Sequence, residues 1–284
     1  MDEHDRYFYD LNGYIVVERA LSPEQVEALN EAIDHNRDRI GEVSPENSLD
    51  GRSPEHGGRS AEGLKGTHGR GNIGGYLFWE RPWCEPFREI IAPPRIMRMM
   101  LTIIGPRFRF EGTGGICMTK GAEGFILHGG GTPELEIMRE QFFHRFQFGR
   151  MSSGLISVSY ALTDEGEEDG GFVCIPGSHK ANFLCPQDVR RLERDLGIVN
   201  KIPLKAGDAV IFTEALTHGT VPWKADYERR LLRYLYAPAL HVRPNPRFAD
   251  IAGELDELQQ LMVLDREWRE DVEATIAAAE KGAI

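Results

Sequence analysis

His128 closes the short apolar run Phe125-Ile126-Leu127-His128, and His218 closes Leu216-Thr217-His218 ninety residues further on. Arg229 follows the second histidine by eleven residues and opens a run of strand-forming residues. Neutral imidazole is a good ligand for Fe(II), and a planar guanidinium takes a carboxylate in bidentate fashion. Two such histidines followed by such an arginine imply a mononuclear iron site beside an anionic co-substrate. An iron site of the 2-His-1-carboxylate type would carry Asp or Glu two residues after the first histidine to complete its three-ligand face. Gly130 stands there instead, and that missing acid carries most of the functional argument.

Each of these residues has a plainer or competing reading. His128 also reads as a buried histidine in a glycine turn. His144, within Phe142 to Phe146, is a rival first ligand, but nothing acidic follows it at the right place. His179 lies in a Pro176-Gly177-Ser178-His179 turn and reads as structural. The third ligand of an ordinary site would have to arrive from elsewhere, with Glu123, Glu134 and Glu136 the nearest candidates. Arg230 competes with Arg229, since side chains alternate along a strand and a one-residue slip would exchange the two.

The elements that must position these groups are legible as pattern. Asn12-Gly13 marks a turn that leads into a strand ending near Val17. Ser22-Pro23-Glu24 then caps a helix whose apolar face is Val26, Leu29, Ala32 and Ile33. Residues 41–75 are glycine-rich and poor in large apolar residues, which marks a long loop, and they carry the cations Arg52, Arg59, Lys65, His68 and Arg70. Such loops often bind ligands. Glu85 to Ile104 reads as short helices broken at Pro93-Pro94. After Gly105 the apolar segments are short and punctuated by Gly, Pro or Asp, the signature of an antiparallel sandwich or barrel. Leu255, Leu258, Leu261 and Met262 open a terminal helical segment.

Composition sets the outer limits. A chain of 284 residues with 41% hydrophobic and 27% charged residues is ordinary for a globular protein, and no apolar run is long enough for a membrane span. Its acidic start lacks the flank of a signal peptide, so a cytoplasmic location is expected. A net charge of −12 argues against a nucleic-acid polymer as partner. Cys84, Cys117, Cys174 and Cys185 show no paired spacing and read as buried thiols in a reducing compartment.

Over roughly residues 8–240 the chain resembles the phytanoyl-CoA dioxygenase family of Fe(II)/2-oxoglutarate-dependent oxygenases. The resemblance rests on Gly170-Gly171-Phe172 with Ile175 to Lys180, on Ala206-Gly207-Asp208 before an apolar strand, and on His218-Gly219-Thr220 with Arg229 beyond it. It implies a mainly β fold with flanking helices, a double-stranded β-helix of the cupin jelly-roll type. The expected layout is one domain over 1–284: a helical part to about 104, a jelly-roll core over about 105–240 and a helical segment over about 250–284. It also implies Fe(II), 2-oxoglutarate and O2, with His128 and His218 on the metal and Arg229 and Thr220 on the far carboxylate of oxoglutarate. Gly130 departs from the family and resembles the Fe(II)/2-oxoglutarate halogenases, where a small residue leaves room for chloride. The leading expectation is therefore an enzyme that chlorinates an aliphatic C–H bond of a small anionic metabolite such as a nucleotide. A hydroxylase with an unconventional third ligand and a non-catalytic cupin-like binding protein are the alternatives.

Overall fold

The structure is a computed structural model that describes residues 1–42, 61–129, 141–194, 196–242, 245–264 and 272–282. Asp2 and Asp5 each accept the other's backbone N–H and so start helix α1, Glu3–Asn12. Gly13, at φ +82°, ends it, and strand β1, Tyr14–Val17, follows. Ser22 and Gln25 form the same reciprocal cap at the head of α2, Pro23–His35. Next come β2, Gly41–Glu42, and β3, Gly71–Ile73, then α3, Glu85–Glu89, and α4, Pro94–Ile103. The strands β4, Phe108–Met118, β5, Phe125–His128, β6, His144–Gln147, β7, Arg150–Ser153, β8, Ile156–Ala161, and β9, Gly171–Cys174, lead to the short helix α5, Gln187–Arg190. The chain continues through β10, Asn200–Lys201, β11, Ala209–Thr213, β12, His218–Val221, and β13, Arg229–Pro238, and ends in α6, Glu257–Val263, and α7, Val272–Glu280.

Two sheets make the frame. Seven strands run in the order β1-β11-β8-β13-β4-β3-β2 and four in the order β10-β9-β12-β5, while β6 and β7 form a separate hairpin. All the paired strands are antiparallel. This is the double-stranded β-helix expected from the sequence, with helices on one side. Among the described residues no helix is long and apolar enough to cross a membrane.

The turn at Asn12-Gly13 and the strand after it stand as expected, with α1 before them. One expectation about the elements is corrected. Residues 41–75 are not all loop, since β2 and β3 extend the large sheet at its edge and Leu64 and Ile73 are buried. The partner of β3, β4, runs through Gly112, Gly114 and Gly115. A Cβ at Gly115 would sit 2.5 Å from a methyl of Ile73, so the glycine that reads as a strand breaker is what admits β3 beside it.

The large sheet separates two environments by simple alternation. One face of β13 presents Leu232, Tyr234 and Tyr236 to the helices, inside a core that also holds Ile33, Phe87, Met100 and Leu258. Each such aromatic contributes roughly 1.5–3 kcal/mol by burial. The tyrosines also bolt sheet to helix, for Tyr234 donates to the carbonyl of Phe87 at 2.7 Å and Tyr236 to that of Ile91 at 2.6 Å. The other face looks into the space between the sheets. Tyr234→Phe should leave the Phe87 carbonyl unpaired in the core and cost about 1–3 kcal/mol, read as a lower urea midpoint with metal uptake unchanged; an unaltered midpoint would show that the bond does not brace the sheet.

Candidate metal and co-substrate site

The antiparallel pairing of β5 with β12 sets His128 directly opposite His218. Their rings lie 4.3 Å apart between centroids. The Nδ1 atoms point at main-chain carbonyls two residues upstream, His128 to Ile126 at 3.0 Å and His218 to Leu216 at 2.8 Å. A carbonyl only accepts, so each Nδ1 must carry the hydrogen, and each Nε2 keeps its lone pair free to bind a metal. Burial pushes His128 well below the ordinary imidazole range, helped by His218 and by the charges of Arg233 and Arg70 and opposed by the bond to Ile126. Burial also lowers His218, with Glu214 pulling the other way. Both rings are thus held neutral, the form a cation requires.

Sequence reasoning missed the third member of this group. Glu214, in the turn between β11 and β12, is buried, and its Oε2 lies 3.6 Å from Nε2 of His218. The ligand atoms of His128, Glu214 and His218 all fall within 4.8 Å of one another. The other carboxylate oxygen, Oε1, is buried with no hydrogen-bond partner, an arrangement that a cation would satisfy. The signal that could have found it is the Glu-x-x-x-His spacing of residues 214 to 218, which a tight turn folds back on itself: the Leu216 N–H donates to Thr213 at 2.8 Å, and the Glu214 N–H to Leu155 at 2.9 Å.

Neighbouring segments clamp that turn. A Cβ at Gly129, φ +121°, would lie 2.1 Å from the carbonyl oxygen of Leu216 and 2.9 Å from that of Glu214. Only glycine lets the end of β5 press against the turn so closely. From the other side Ser178 accepts the N–H of Thr217 at 2.8 Å, and the Ile175 N–H donates to the Thr217 carbonyl at 2.8 Å. The Pro-Gly-Ser turn is therefore the seat of His218.

Arg229 lies at the base of the same cavity, fully buried, with its Nε 2.9 Å from Oε2 of the equally buried Glu165. A Cβ at Gly171, φ +85°, would come within 2.5 Å of that oxygen and 2.9 Å of the arginine Nε, which accounts for the glycine before Phe172. Thr220, on β12, lines the cavity beside Arg229. Arg230 points the opposite way and pairs with Glu228 at 2.7 Å and with Asp34 of α2. The carboxylate of Asp208 accepts from the backbone of Arg19 and Lys205, both at 2.9 Å, and so fastens the lead-in to β11.

The remaining candidates fall elsewhere. Both ring nitrogens of His144 are engaged, with Ser153 at 2.8 Å and Asp10 at 2.9 Å, and His179 bonds the Asp10 carbonyl at 3.0 Å. Gly130, Glu134, Glu136, Arg52 and Arg59 lie outside the described residues. Glu123 is not among the residues whose ligand atoms converge. Of the loop cations, Lys65 pairs with Glu62 at 2.6 Å and His68 meets Thr119 at 2.9 Å, whereas Arg70 stacks over Phe125 at 4.1 Å and reaches the cavity. That cavity has a volume of about 360 Å³ and contains His128, His218, Thr220, Arg229 and Arg233 in its walls.

A jelly roll with two neutral histidines, a converging carboxylate and a buried arginine across one cavity defines a non-haem metal oxygenase scaffold. A family model for phytanoyl-CoA dioxygenase matches residues 9–116 and 128–231. The chain belongs to that family, which uses Fe(II) and 2-oxoglutarate, and it is an oxidoreductase. Among solved structures it is similar to HygX from Streptomyces hygroscopicus with nickel, 2-oxoglutarate and hygromycin B bound, at 18% identity and a TM-score of 0.66 over 86% of this chain and 90% of the other. The non-haem α-ketoglutarate-dependent carbocyclase SnoK from nogalamycin biosynthesis is similar at 18% identity and a TM-score of 0.57, over 94% of each chain. The epimerase SnoN of the same biosynthesis matches at 16% identity and a TM-score of 0.56, over 84% of this chain and 83% of the other. No individually curated protein sequence matches the chain.

The two adjacent arginines should separate cleanly. Arg229→Ala should raise the oxoglutarate Kd about 10- to 100-fold, the worth of a charge-assisted bond, with bound metal unchanged. Arg230→Ala should instead lower thermal stability, by roughly 1–3 kcal/mol for a part-exposed network, and leave oxoglutarate affinity intact. The reverse pattern would move the co-substrate anchor to Arg230.

Proposed function

We propose that this protein is an Fe(II)/2-oxoglutarate-dependent oxygenase that hydroxylates an aliphatic C–H bond of a small molecule, with His128, His218 and Glu214 as its metal ligands. The convergence of the Glu214 carboxylate on the histidine pair carries this reading. It supplies an acid where the sequence has glycine at position 130, and so completes a 2-His-1-carboxylate set. The buried, unpartnered Oε1 of Glu214 and the two outward Nε2 lone pairs fit a divalent cation. When bound, Fe(II) with 2-oxoglutarate and O2 supplies the oxidising power for C–H cleavage.

The chain's own residues do the rest. Arg229, steered by Glu165, presents its guanidinium to the far carboxylate of oxoglutarate, and the Thr220 hydroxyl stands beside it as a further donor. Phe172 and Phe212 wall the cavity next to the histidines and exclude water from the reacting carbon. The relatives named above act on or bind natural-product molecules, which supports a small organic substrate here.

Chlorination is the second reading, favoured by Gly130 at the position of the usual acid, where a chloride would take the place of a protein ligand. The two readings differ at Glu214. For the hydroxylase, Glu214→Ala should cut metal affinity and oxoglutarate turnover by more than the roughly 10- to 100-fold lost when an outer hydrogen-bond partner of a ligand is removed, and wild-type product should be free of halogen at every chloride or bromide concentration. Near-normal metal content in Glu214→Ala together with halogenated product would overturn the hydroxylase in favour of the halogenase. Absence of any oxoglutarate turnover in metal-loaded wild type would instead leave a binding protein.

A further inference from the structure

Side chains alternate along β13, so Arg229, Leu231 and Arg233 share the face that looks into the cavity, and all three line it. Arg229 is accounted for by Glu165 and by oxoglutarate. Arg233 is not. Its Nε is shut off from solvent and finds no hydrogen-bond partner among the described residues, while the buried arginines Arg88, Arg229 and Arg230 each meet a carboxylate. A shielded guanidinium nitrogen without a partner is a costly arrangement. A protein keeps one where a ligand brings the missing partner.

The surroundings of Arg233 leave room for such a ligand. In register beside it stand Gly114 on β4 and Ser159 on β8. Among the described residues no atom lies within 4 Å of where a Cβ would sit on Gly114, which lines the cavity, so the wall in register with the guanidinium is bare backbone there. Ser159 and Asn72 add polar groups to the same cavity, and Arg70 reaches it from the rim. Arg233 lies four positions along β13 from Arg229, roughly 13 Å between their backbones, so the two guanidiniums serve different parts of the space. Arg233 shares the wall of that cavity with His128 and His218.

We infer that Arg233 is the seat of an anionic head group, a carboxylate or a phosphate monoester, on the primary substrate, and that it fixes which substrate carbon faces the metal. The inference rests on the oxygenase reading for its second half and on the cavity alone for its first. A planar guanidinium receives either anion through two parallel N–H bonds. The same carboxylate chemistry could come from the metal-bound end of oxoglutarate, and the experiment separates the two sources.

Wild type, Arg233→Gln, Arg233→Lys and Arg229→Gln are titrated calorimetrically with oxoglutarate in the presence of Co(II). Each is then titrated with inorganic phosphate and with acetate, both after oxoglutarate saturation and on metal-free protein, with acetamide as the neutral control. Circular dichroism confirms that each variant is folded. The expected result is saturable anion binding to oxoglutarate-loaded wild type, weakened about 10- to 100-fold in Arg233→Gln, largely kept in Arg233→Lys and in Arg229→Gln, and absent with acetamide. Oxoglutarate affinity should stay within about threefold of wild type in Arg233→Gln. Loss of oxoglutarate affinity in that variant would assign Arg233 to the co-substrate and overturn the inference, as would wild type that binds neither anion. If wild type takes up neither Co(II) nor oxoglutarate, the oxygenase reading fails by itself; the metal-free titrations still decide whether Arg233 is an anion seat.

Discussion

The site depends on one backbone register, the pairing of His128 with His218 across β5 and β12. A slip of one residue in either strand would turn one imidazole away from the cavity. What holds the register is packing on both sides of the turn that precedes β12. Gly129 presses against it from one strand and the Pro-Gly-Ser turn from the other, so the turn that carries Glu214 cannot move without both neighbours. The ligand set is therefore fixed by main chain. Side-chain rotamers only have to complete it.

Charge is handled in two ways inside this barrel. The Arg229–Glu165 pair is internal and nearly solvent-free, with Lys201 3.6 Å from the same carboxylate; burial pushes that lysine down from its ordinary range despite the acid beside it. Buried pairs of this kind add little net stability against an apolar replacement. Their use here is to aim: Glu165 holds one edge of the guanidinium so that the other is presented in a single direction. Glu214 and Arg233 differ in forming no arginine–carboxylate pair among the described residues, although each, like Glu165 and Arg229, has a buried atom with no hydrogen-bond partner there.

Much of this was written in local pattern. The helix cap at Ser22, the break at Pro93-Pro94 and the short strands after Gly105 follow from propensity and turn chemistry. The histidine pair and Arg229 were legible because motif order survives divergence, and the alternation of β13 distinguishes Arg229 from Arg230 once the strand is placed. Three things were hidden. Glu214 sits close to His218 only through a turn whose hydrogen bonds have no sequence signature. Arg233 reads as one of several surface-type cations until the sheet shows which face it occupies. β3 lies in a glycine-rich stretch whose strand character comes entirely from its neighbour, since Gly115 makes room for Ile73.

The bare stretch of β4 at Gly112 and Gly114 has a consequence for how such an enzyme diversifies. Neither glycine adopts the left-handed backbone that would exclude a side chain, and among the described residues neither has a neighbour that a methyl group would strike. A single substitution at Gly114 would reshape the chamber without disturbing the His128, Glu214 and His218 group, Arg229 or the helix-facing core behind the strand. Substrate range and fold integrity are thereby inherited on opposite faces of one sheet, and selection can revise the first while leaving the second alone.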